Sequence, residues 1–353
     1  MVNIPAYGFL RGLWIEVILA TGLANAATTY LTDGFHCALS SITLQDTSGN
    51  PIYGPVVQGG SGTPAISAFI QKYGGYGAYM DPVEMGLYVE PSAWSHTAVN
   101  LVYWYYIPIE LISRNGLGSI TNLNAAAAYQ LLMTVAPAGN ITGTLTDLPT
   151  YTVNTYFDAW SQPPAHDILG NQTTQRPPAL NTTQFWTVAN FPISAGYQKI
   201  QLTRLGYYIR ELILIFMNSS GVRSDVVPPN QIELWKDNQP ILQQDAALWR
   251  TKMYRDYGYS ASGFADGTAD SSLSTPTVPA AGVQDTGVFV VNFNDDFGLL
   301  IGDELRNGYL PTLQSTKLEV RGTMGTGATT LYVLTNDVAP PDSNESIFIP
   351  VTL

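Results

Sequence analysis

The sequence contains few charged residues. Asp, Glu, Lys and Arg make up 12% of its 353 residues, about half the roughly 25% of an average globular domain. Disordered chains are rich in charge and poor in aromatic residues, and coiled coils need many Glu, Lys and Arg residues, so the composition excludes both classes. The chain is instead rich in residues that form turns and strands, with 32 Gly, 23 Pro and 21 Tyr. This composition favours β-strands joined by turns.

Basic residues and cysteine are also scarce. The chain has 15 Lys and Arg residues against 27 Asp and Glu residues, which gives a net charge of −12. A surface that binds phosphates needs clustered Lys and Arg, and no run of three basic residues occurs. The sequence therefore argues against direct nucleic-acid binding. The single cysteine, Cys37, excludes an internal disulfide and a cysteine metal cluster, and we expect its side chain to be buried.

The patterns that mark catalytic and metal sites are missing as well. The three histidines, His36, His96 and His166, form no His-Glu-x-x-His motif. Residues 292–298 resemble a calcium loop, but the twelfth position holds Asp303 instead of a bidentate Glu. No pair of carboxylates has a spacing that singles it out for glycoside hydrolysis. The sequence predicts a non-enzymatic protein without catalytic, cofactor-binding or metal-binding residues and without a cofactor.

The apolar stretch over residues 10–20 has two interpretations. With Arg11 near its start and a small-x-small site at 24–26 after it, the stretch is similar to a secretory signal. However, Glu16 lies in its middle, where a signal core carries no charge. As a strand, the stretch would place Leu13, Ile15 and Val17 on one face and Trp14 and Glu16 on the other. We favour the strand.

The chain also contains a weak internal repeat. Each half shows the same order of signals: an arginine before a long apolar strand, an alternating strand with a polar turn and Pro-Ile, a short helix, and an Arg-Asn-Gly turn. Four pairs of positions mark this order: Arg11 with Arg210, Ile42 with Ile232, Gly74 with Gly258, and Gly116 with Gly308. Their separations lie between 184 and 199 residues. We predict two homologous β-domains in tandem, 1–190 and 191–353.

Smaller patterns predict individual elements. Thr63 is a predicted N-cap for a helix that ends before Gly74, and a second helix is predicted over 245–257. Residues 317–321 alternate between charged and apolar, which predicts a half-buried strand. Two stretches, 140–190 and 259–285, are rich in small and polar residues and are predicted to be long ordered loops.

Several segments resemble one protein family. In the second half these are 305–313 (LRNGYLPTL), 318–323 (LEVRGT) and 331–338 (LYVLTNDV), and in the first half they are 9–13 (FLRGL), 39–44 (LSSITL) and 49–51 (GNP). The chain resembles the double jelly-roll major capsid proteins of tailless icosahedral, tectivirus-like viruses, bacteriophages among them.

This resemblance implies both a fold and a function. The fold would be all-β, with two tandem eight-stranded jelly rolls and short helices in loops. Three copies would form a homotrimer that looks hexagonal and tiles a virion shell assembled in the host cytoplasm. Each trimer would contact neighbouring capsomers, penton and minor capsid proteins, and the internal viral membrane. The acidic composition agrees with a shell that does not bind the genome directly.

One aromatic run has two interpretations. The densest aromatic run, Tyr103, Trp104, Tyr105 and Tyr106, is a candidate subunit or domain contact, because Tyr and Trp offer large contact area with a polar tip. The alternative is a strand packed inside its own sandwich. Two other functions remain as hypotheses: a two-domain jelly-roll carbohydrate-binding or virion spike protein, and a β-sandwich glycoside hydrolase.

Overall fold

The computed structural model describes residues 1–20, 37–59, 63–74, 100–111, 116–140, 150–164, 166, 168–171, 183–257, 286–293 and 308–339. These residues form seventeen β-strands and two α-helices, together with short 3-10 turns. The described helices are all too short or too polar to cross a bilayer.

The first half of the chain forms two facing sheets. Its strands are β1 (Val2–Asn3), β2 (Phe9–Ala20), β3 (Leu39–Gln45), β4 (Pro51–Val57), β5 (Asn100–Pro108), β6 (Ile120–Thr121), β7 (Gln130–Val135) and β8 (Thr150–Trp160). One sheet has the order β1-β7-β3-β4. In the other sheet β2 lies between β5 and β8, and the short β6 pairs with the start of β2.

The second half repeats this arrangement. Its strands are β9 (Gln184–Pro192), β10 (Gly196–Gln201), β11 (Tyr208–Asn218), β12 (Gln231–Lys236), β13 (Gln239–Asp245), β14 (Val288–Asn292), β15 (Leu310–Pro311), β16 (Leu318–Met324) and β17 (Ala328–Val338). One sheet has the order β10-β16-β12-β13, and the other has the order β14-β11-β17-β9. The short β15 pairs with the start of β11.

The two halves correspond strand by strand, as the repeat predicts. The clearest marker is a bulge in β2 and β11. Pairing of β2 with β8 skips Arg11, and pairing of β11 with β17 skips Arg210. The two arginines that marked the repeat in the sequence are thus the bulged residues of equivalent strands. In the described residues, β9 is the strand of the second half that has no counterpart in the first.

A helix follows equivalent strands in the two halves. Helix α1 (Ile66–Tyr73) follows β4, and α2 (Ala246–Tyr257) follows β13. Asp245 caps α2 by accepting a hydrogen bond from the Ala247 amide at 2.9 Å. The predicted Thr63 cap of α1 is wrong, because α1 begins at Ile66 with Ala65 as its N-cap. The Gln58 side chain supplies the acceptor instead, at 2.8 Å from the Ser67 amide.

Burial along β2 alternates as the strand interpretation predicts. Leu13, Ile15 and Val17 are buried, whereas Trp14 and Glu16 on the other face are half-buried. Cys37 is also buried. The inward rows of both halves join in one apolar core.

Two sequence-based expectations differ from the structure. Stretch 140–190 was predicted to be irregular, but it contains β8 and most of β9. The predicted domain boundary at 190 falls inside β9, which pairs with β17 of the second half. The predicted loop 259–285 and the helix-terminating Gly258 lie outside the described residues.

Strand β16 is not half-exposed as its alternation suggests. Glu319 and Arg321 are buried because they neutralise each other, with Arg321 Nε donating to Glu319 Oε2 at 2.8 Å. The Arg321 guanidinium also stacks over the Trp235 ring, 4.1 Å from its centroid. A charged pair and an aromatic ring therefore bury a face that the charges alone would leave in water.

Candidate functional site

An aromatic surface lies on the outer face of the first half, across β5, β2 and β8. It consists of Trp14, Trp104, Tyr106 and Tyr156, which we call the aromatic patch. The strand register places Trp14 between Tyr106 and Tyr156 on the neighbouring strands. The Trp14 ring centroid lies 4.6 Å from that of Tyr106 and 6.4 Å from that of Trp104. The Trp104 and Tyr156 centroids are 5.7 Å apart.

A glycine and a carboxylate shape this patch. A Cβ atom on Gly12 would collide with the Tyr106 ring, so the glycine lets the ring lie flat on the sheet. Glu16 Oε2 accepts hydrogen bonds from Asn154 Nδ2 at 2.9 Å and from Tyr156 Oη at 3.2 Å. Partial desolvation, followed by the bond to Glu16, raises the pKa of Tyr156. Tyr156 therefore stays neutral at physiological pH and keeps its hydroxyl as a donor.

The predicted contact run divides between the two faces of β5. Tyr103 and Tyr105 are buried in the core, where their ring centroids lie 4.4 Å apart in a T-shaped pair. The Tyr105 hydroxyl accepts a hydrogen bond from the Leu39 amide at 3.0 Å. Trp104 and Tyr106 face away from the core, so they are the two members of the run that reach the surface. Their role in a subunit contact stays a prediction.

An ionic cluster fixes the end of the patch. Arg11 Nε donates to Glu110 Oε2 at 2.8 Å, and its guanidinium lies 4.3 Å from the centroid of the Trp160 ring. Trp160 Nε1 donates to Glu110 Oε2 at 2.7 Å. Because Glu110 is buried, these bonds compensate its desolvation and tie the end of β8 to the residues that follow β5.

The two halves are joined at the same end. Gln184, at the start of β9, donates from Nε2 to the Glu110 carbonyl at 2.8 Å. Asn336 Nδ2 in turn donates to Gln184 Oε1 at 2.9 Å. Farther along the junction, Arg223 places its guanidinium 5.1 Å from the centroid of the Phe69 ring in α1. Buried polar bonds of this kind fix how one half sits on the other.

The described residues offer no assembled catalytic or metal centre. Within them, no group of three or more His, Cys, Asp and Glu side chains could hold a metal ion. His166 is described, whereas His36, His96, residues 294–298 and Asp303 lie outside the described residues.

Known structures with the same architecture are viral capsid proteins. The capsid protein of Sulfolobus Turreted Icosahedral Virus matches with a TM-score of 0.61 and 12% identity, over 96% of this chain and 90% of that chain. The PBCV-1 capsid model matches with a TM-score of 0.57 and 12% identity, over 95% and 88% of the two chains. The major capsid protein of bacteriophage PM2 matches with a TM-score of 0.51 and 8% identity, over 98% and 92%.

The chain has the double jelly-roll fold of these capsid proteins. The predicted fold class is thereby confirmed. We refer to β1–β8 as the first jelly roll and to β9–β17 as the second. Neither a protein-family model nor a curated protein sequence matches the chain. At these identities the likeness lies in the order and pairing of strands. Because the aromatic patch lies on β2, β5 and β8, it belongs to the outer face of the first jelly roll.

Sequence reasoning missed half of this patch. Trp104 and Tyr106 stood out as part of a dense aromatic run, but Trp14 has no aromatic neighbour in the sequence and Tyr156 is followed only by Phe157. Only the register of β2 between β5 and β8 brings the four together. The alternation of side chains along a strand could already have separated Trp104 and Tyr106 from Tyr103 and Tyr105.

Proposed function

We propose that this chain is a major capsid protein, a non-enzymatic subunit of the shell of a tailless icosahedral virus. The observation that carries the proposal is the pair of similar jelly rolls in one chain. The three capsid proteins described above match at least 95% of the chain and at least 88% of their own length, with TM-scores from 0.51 to 0.61. The likeness therefore extends over both jelly rolls.

The proposed assembly is a homotrimer. Each chain supplies two similar units, divided between β8 and β9, so three chains supply six similar units around one axis. Such a trimer has a pseudo-hexagonal outline that can tile a closed shell with neighbouring capsomers. In the virion it would also contact penton and minor capsid proteins and an internal membrane, after assembly in the host cytoplasm. The net charge of −12 agrees with a shell that does not bind the genome directly.

The aromatic patch is the proposed surface between copies of the chain. Contacts that contribute most to binding are enriched in Trp and Tyr, and the patch holds two of each on one face. Tyr156 is 49% exposed, so apolar ring surface remains available after folding. We assign Trp104 and Tyr106 to this contact with a neighbouring copy.

Assembly tests the proposal directly. We expect the purified full chain to form trimers in native mass spectrometry and closed shells in electron micrographs. A stable monomer that never forms either would contradict the capsid role. Trimers that bind glycans but never form shells would favour the carbohydrate-binding or spike alternative.

A paired substitution tests the patch separately. Trp104→Ala with Tyr156→Ala should weaken association at least tenfold, because each ring offers a large apolar contact, and should change the melting temperature little. The control is Tyr197→Ala, which removes a 55% exposed ring from the second jelly roll. Equal association of both variants would remove the patch from the interface and leave the capsid role intact.

A further inference from the structure

The first jelly roll packs against the second through β4 and the helix α1 that follows it. Strand β4 contacts β9. At the end of α1, the Gly74 carbonyl accepts a hydrogen bond from Arg210 Nη1 of β11 at 3.3 Å. The Phe69 ring of α1 lies 5.1 Å from the guanidinium of Arg223, which bridges to β11 at Met217. Strand β4 and helix α1 therefore lie against the sheet that contains β9 and β11.

The second jelly roll has an equivalent pair of elements, β13 and α2. In each unit the helix donates a hydrogen bond to a strand of the opposite sheet. Gln71 Nε2 of α1 donates to the Trp104 carbonyl of β5 at 3.4 Å, and Trp249 Nε1 of α2 donates to the Val290 carbonyl of β14 at 2.7 Å. Strands β5 and β14 are equivalent, because they pair with the equivalent strands β2 and β11. Helix α2 thus holds the place in the second jelly roll that α1 holds in the first.

The two helices differ in burial. All eight residues of α1 are buried except Lys72, which is half-buried. Helix α2 instead has an exposed stripe, opposite the buried Trp249 and Met253. Residues three or four apart on a helix lie on the same side, so four exposed residues form one surface, which we call the α2 face: Ala247, Leu248, Thr251 and Lys252. Leu248 is 53% exposed.

The outer sheet faces of the two jelly rolls differ in the same way. By strand register, Trp104 and Tyr106 of β5 correspond to Val288 and Val290 of β14. The two valines are buried, whereas Trp104 and Tyr106 are half-buried. The aromatic patch is therefore the counterpart of the sheet face that is buried in the second jelly roll, where β4 and α1 lie.

We propose that the α2 face of one chain packs on the aromatic patch of the next copy. This inference rests on the proposed homotrimer and names the two surfaces of its contact. Within one chain, β4 and α1 lie against a sheet of the second jelly roll. Between chains, the equivalent β13 and α2 would lie against the equivalent sheet of the first jelly roll. Such a contact is head-to-tail, so it closes into a ring, and three chains supply the six units of that ring.

The two surfaces are chemically complementary. Leu248 on the α2 face and Ile241 in β13, which is 39% exposed, present aliphatic side chains to the rings of the patch. Lys252 adds an exposed positive charge. On β8, Asp158 lies two residues from Tyr156 and thus on the same face, and its carboxylate is 43% exposed. An apolar centre with a charged rim is the usual composition of a protein interface.

Mixing two variants of the full chain tests this pairing, because a head-to-tail contact needs both surfaces. The patch variant carries Trp104→Ala with Tyr156→Ala, and the α2 variant carries Leu248→Asp with Thr251→Asp. We expect each variant alone to associate at least tenfold more weakly than the native chain, since every contact lacks one surface. In the mixture, the patch of the α2 variant can bind the α2 face of the patch variant. Native mass spectrometry should therefore show 1:1 heterodimers.

The matched control is Leu313→Asp with Gln314→Asp. It adds the same charge at another exposed part of the second jelly roll, where Leu313 is 43% exposed, and should associate like the native chain. The melting temperature of the α2 variant should change little, because both of its substituted side chains are exposed.

The outcomes separate this pairing from the capsid role. If the α2 variant associates like the native chain, or if the mixture forms no heterodimers, the pairing is overturned and the capsid role stands. If the native chain stays monomeric, the capsid role and this pairing are both contradicted.

Chemical cross-linking gives a second, independent readout. Tyr156→Cys chains are mixed with Leu248→Cys chains and treated with a bismaleimide reagent; the native Cys37 is buried. We expect links that join one chain of each kind, detected by mass after proteolysis. Links only between two Tyr156→Cys chains would show that patches pair with each other, and they would contradict the proposed contact, as would the absence of any link.

Discussion

Strands β2 and β11 hold equivalent positions in the two jelly rolls but have different surroundings. Counting from the bulged arginines, Trp14, Glu16 and Ile18 in β2 correspond to Ile213, Ile215 and Met217 in β11. The β2 residues are half-buried on the outer face, whereas the β11 residues are fully buried. Strand β11 is therefore covered on both faces within one chain.

The residues on the outer faces of β2 and β11 reflect this difference in burial. The run from Leu212 to Met217 is apolar at every position, as expected for a strand covered on both faces. Strand β2 instead places Trp14 and the Glu16 carboxylate on its outer face, which suits a surface that is exposed to water before it binds a partner. Among the described residues, the second jelly roll thus completes its packing within the chain, whereas the first leaves an outer face half-buried, and this is the face that we propose contacts another copy of the chain.

The largest effect should come from removing side chains on the outer faces. We expect Met217→Ala to destabilise the fold by about 2–5 kcal/mol, the usual range for a buried large side chain. The equivalent Ile18→Ala should cost roughly 1 kcal/mol or less, because its side chain is only half-buried. Chemical denaturation of the monomeric state measures both.

Inward-facing positions provide the control for this comparison. Ile15→Ala in β2 and Leu214→Ala in β11 should each cost about 2–5 kcal/mol, because both side chains are fully buried. An Ile18→Ala cost as large as that of Met217→Ala would show that the outer face of β2 is already covered.

The cluster around Arg11 should give the next largest effect. Glu110→Ala removes the acceptor for Arg11, Trp160 and Ser119, which lies 3.3 Å away. We expect a loss of roughly 3 kcal/mol, the scale of breaking a largely buried ion pair. Asp158→Asn is the control, since that 3.4 Å ion pair to Arg11 is 43% exposed at the carboxylate and should contribute less than about 1 kcal/mol. Similar losses for both substitutions, again from denaturation curves, would contradict the central role of Glu110.

The contrast between these strands also explains which features could be predicted from sequence. Apolar runs and clean alternation identified β2, β11 and β14. Strand β8 was missed because Thr, Asn and Tyr alternate with few aliphatic residues, and its Pro-rich neighbours resemble loops. Its alternating Tyr151, Val153 and Phe157 were the available signal.

Other features depend on contacts between distant segments. The burial of Glu319 depends on Arg321 and on Trp235 from a neighbouring strand. The aromatic patch depends on the register of three strands. No local pattern contains this information, because burial of a charge or exposure of a ring is decided by the side chains that surround it.

A pH effect distinguishes the last strands of the two jelly rolls. Asp337 in β17 corresponds to Ala159 in β8, as counted from the register with Ile209 and Leu10. Burial raises the pKa of Asp337 to about 6, although Arg204 donates to its carboxylate at 2.6 Å and opposes this shift. Between pH 4 and pH 6 the folded chain therefore keeps this proton, whereas the unfolded chain has released it. As a result, the contribution of Asp337 to the free energy of unfolding falls as pH rises.

Replacing Asp337 with Asn tests this effect. The difference in unfolding free energy between the native protein and Asp337→Asn should shift by about 2 kcal/mol between pH 4.5 and pH 7, with the native protein relatively more stable at pH 4.5. Other carboxylates titrate equally in both proteins and cancel. A difference that stays constant or moves the other way would contradict the raised pKa.

The smallest effect concerns two equivalent turns. Asp46, after β3, accepts hydrogen bonds at 2.8 Å from the amides of Ser48 and Asn50 inside its own turn. Asp237, after β12, instead accepts from the amides of Thr316 and Lys317, at 2.8 and 3.1 Å, in the loop before β16. The pKa of Asp46 is lowered first by the hydrogen bond from the Asn50 side chain at 2.9 Å and then by these amides, and the pKa of Asp237 is lowered first by the Thr316 amide, in both cases against desolvation.

The two turns should therefore respond differently to the loss of charge. Asp237→Asn keeps a side chain that tolerates the positive φ of 48° at this position. Its effect on stability therefore measures the weakened hydrogen bonds and not backbone strain. We expect it to lower the melting temperature by about 2 °C at pH 7, and Asp46→Asn to lower it less, because only Asp237 ties two separate loops. Both differences should shrink as pH falls through the lowered carboxyl pKa, since the native carboxylates then become protonated and lose the same bonds. Thermal unfolding at pH 7 and at acidic pH measures this. A larger effect for Asp46→Asn would mean that closure of the local turn stabilises the sheet more than the link between loops.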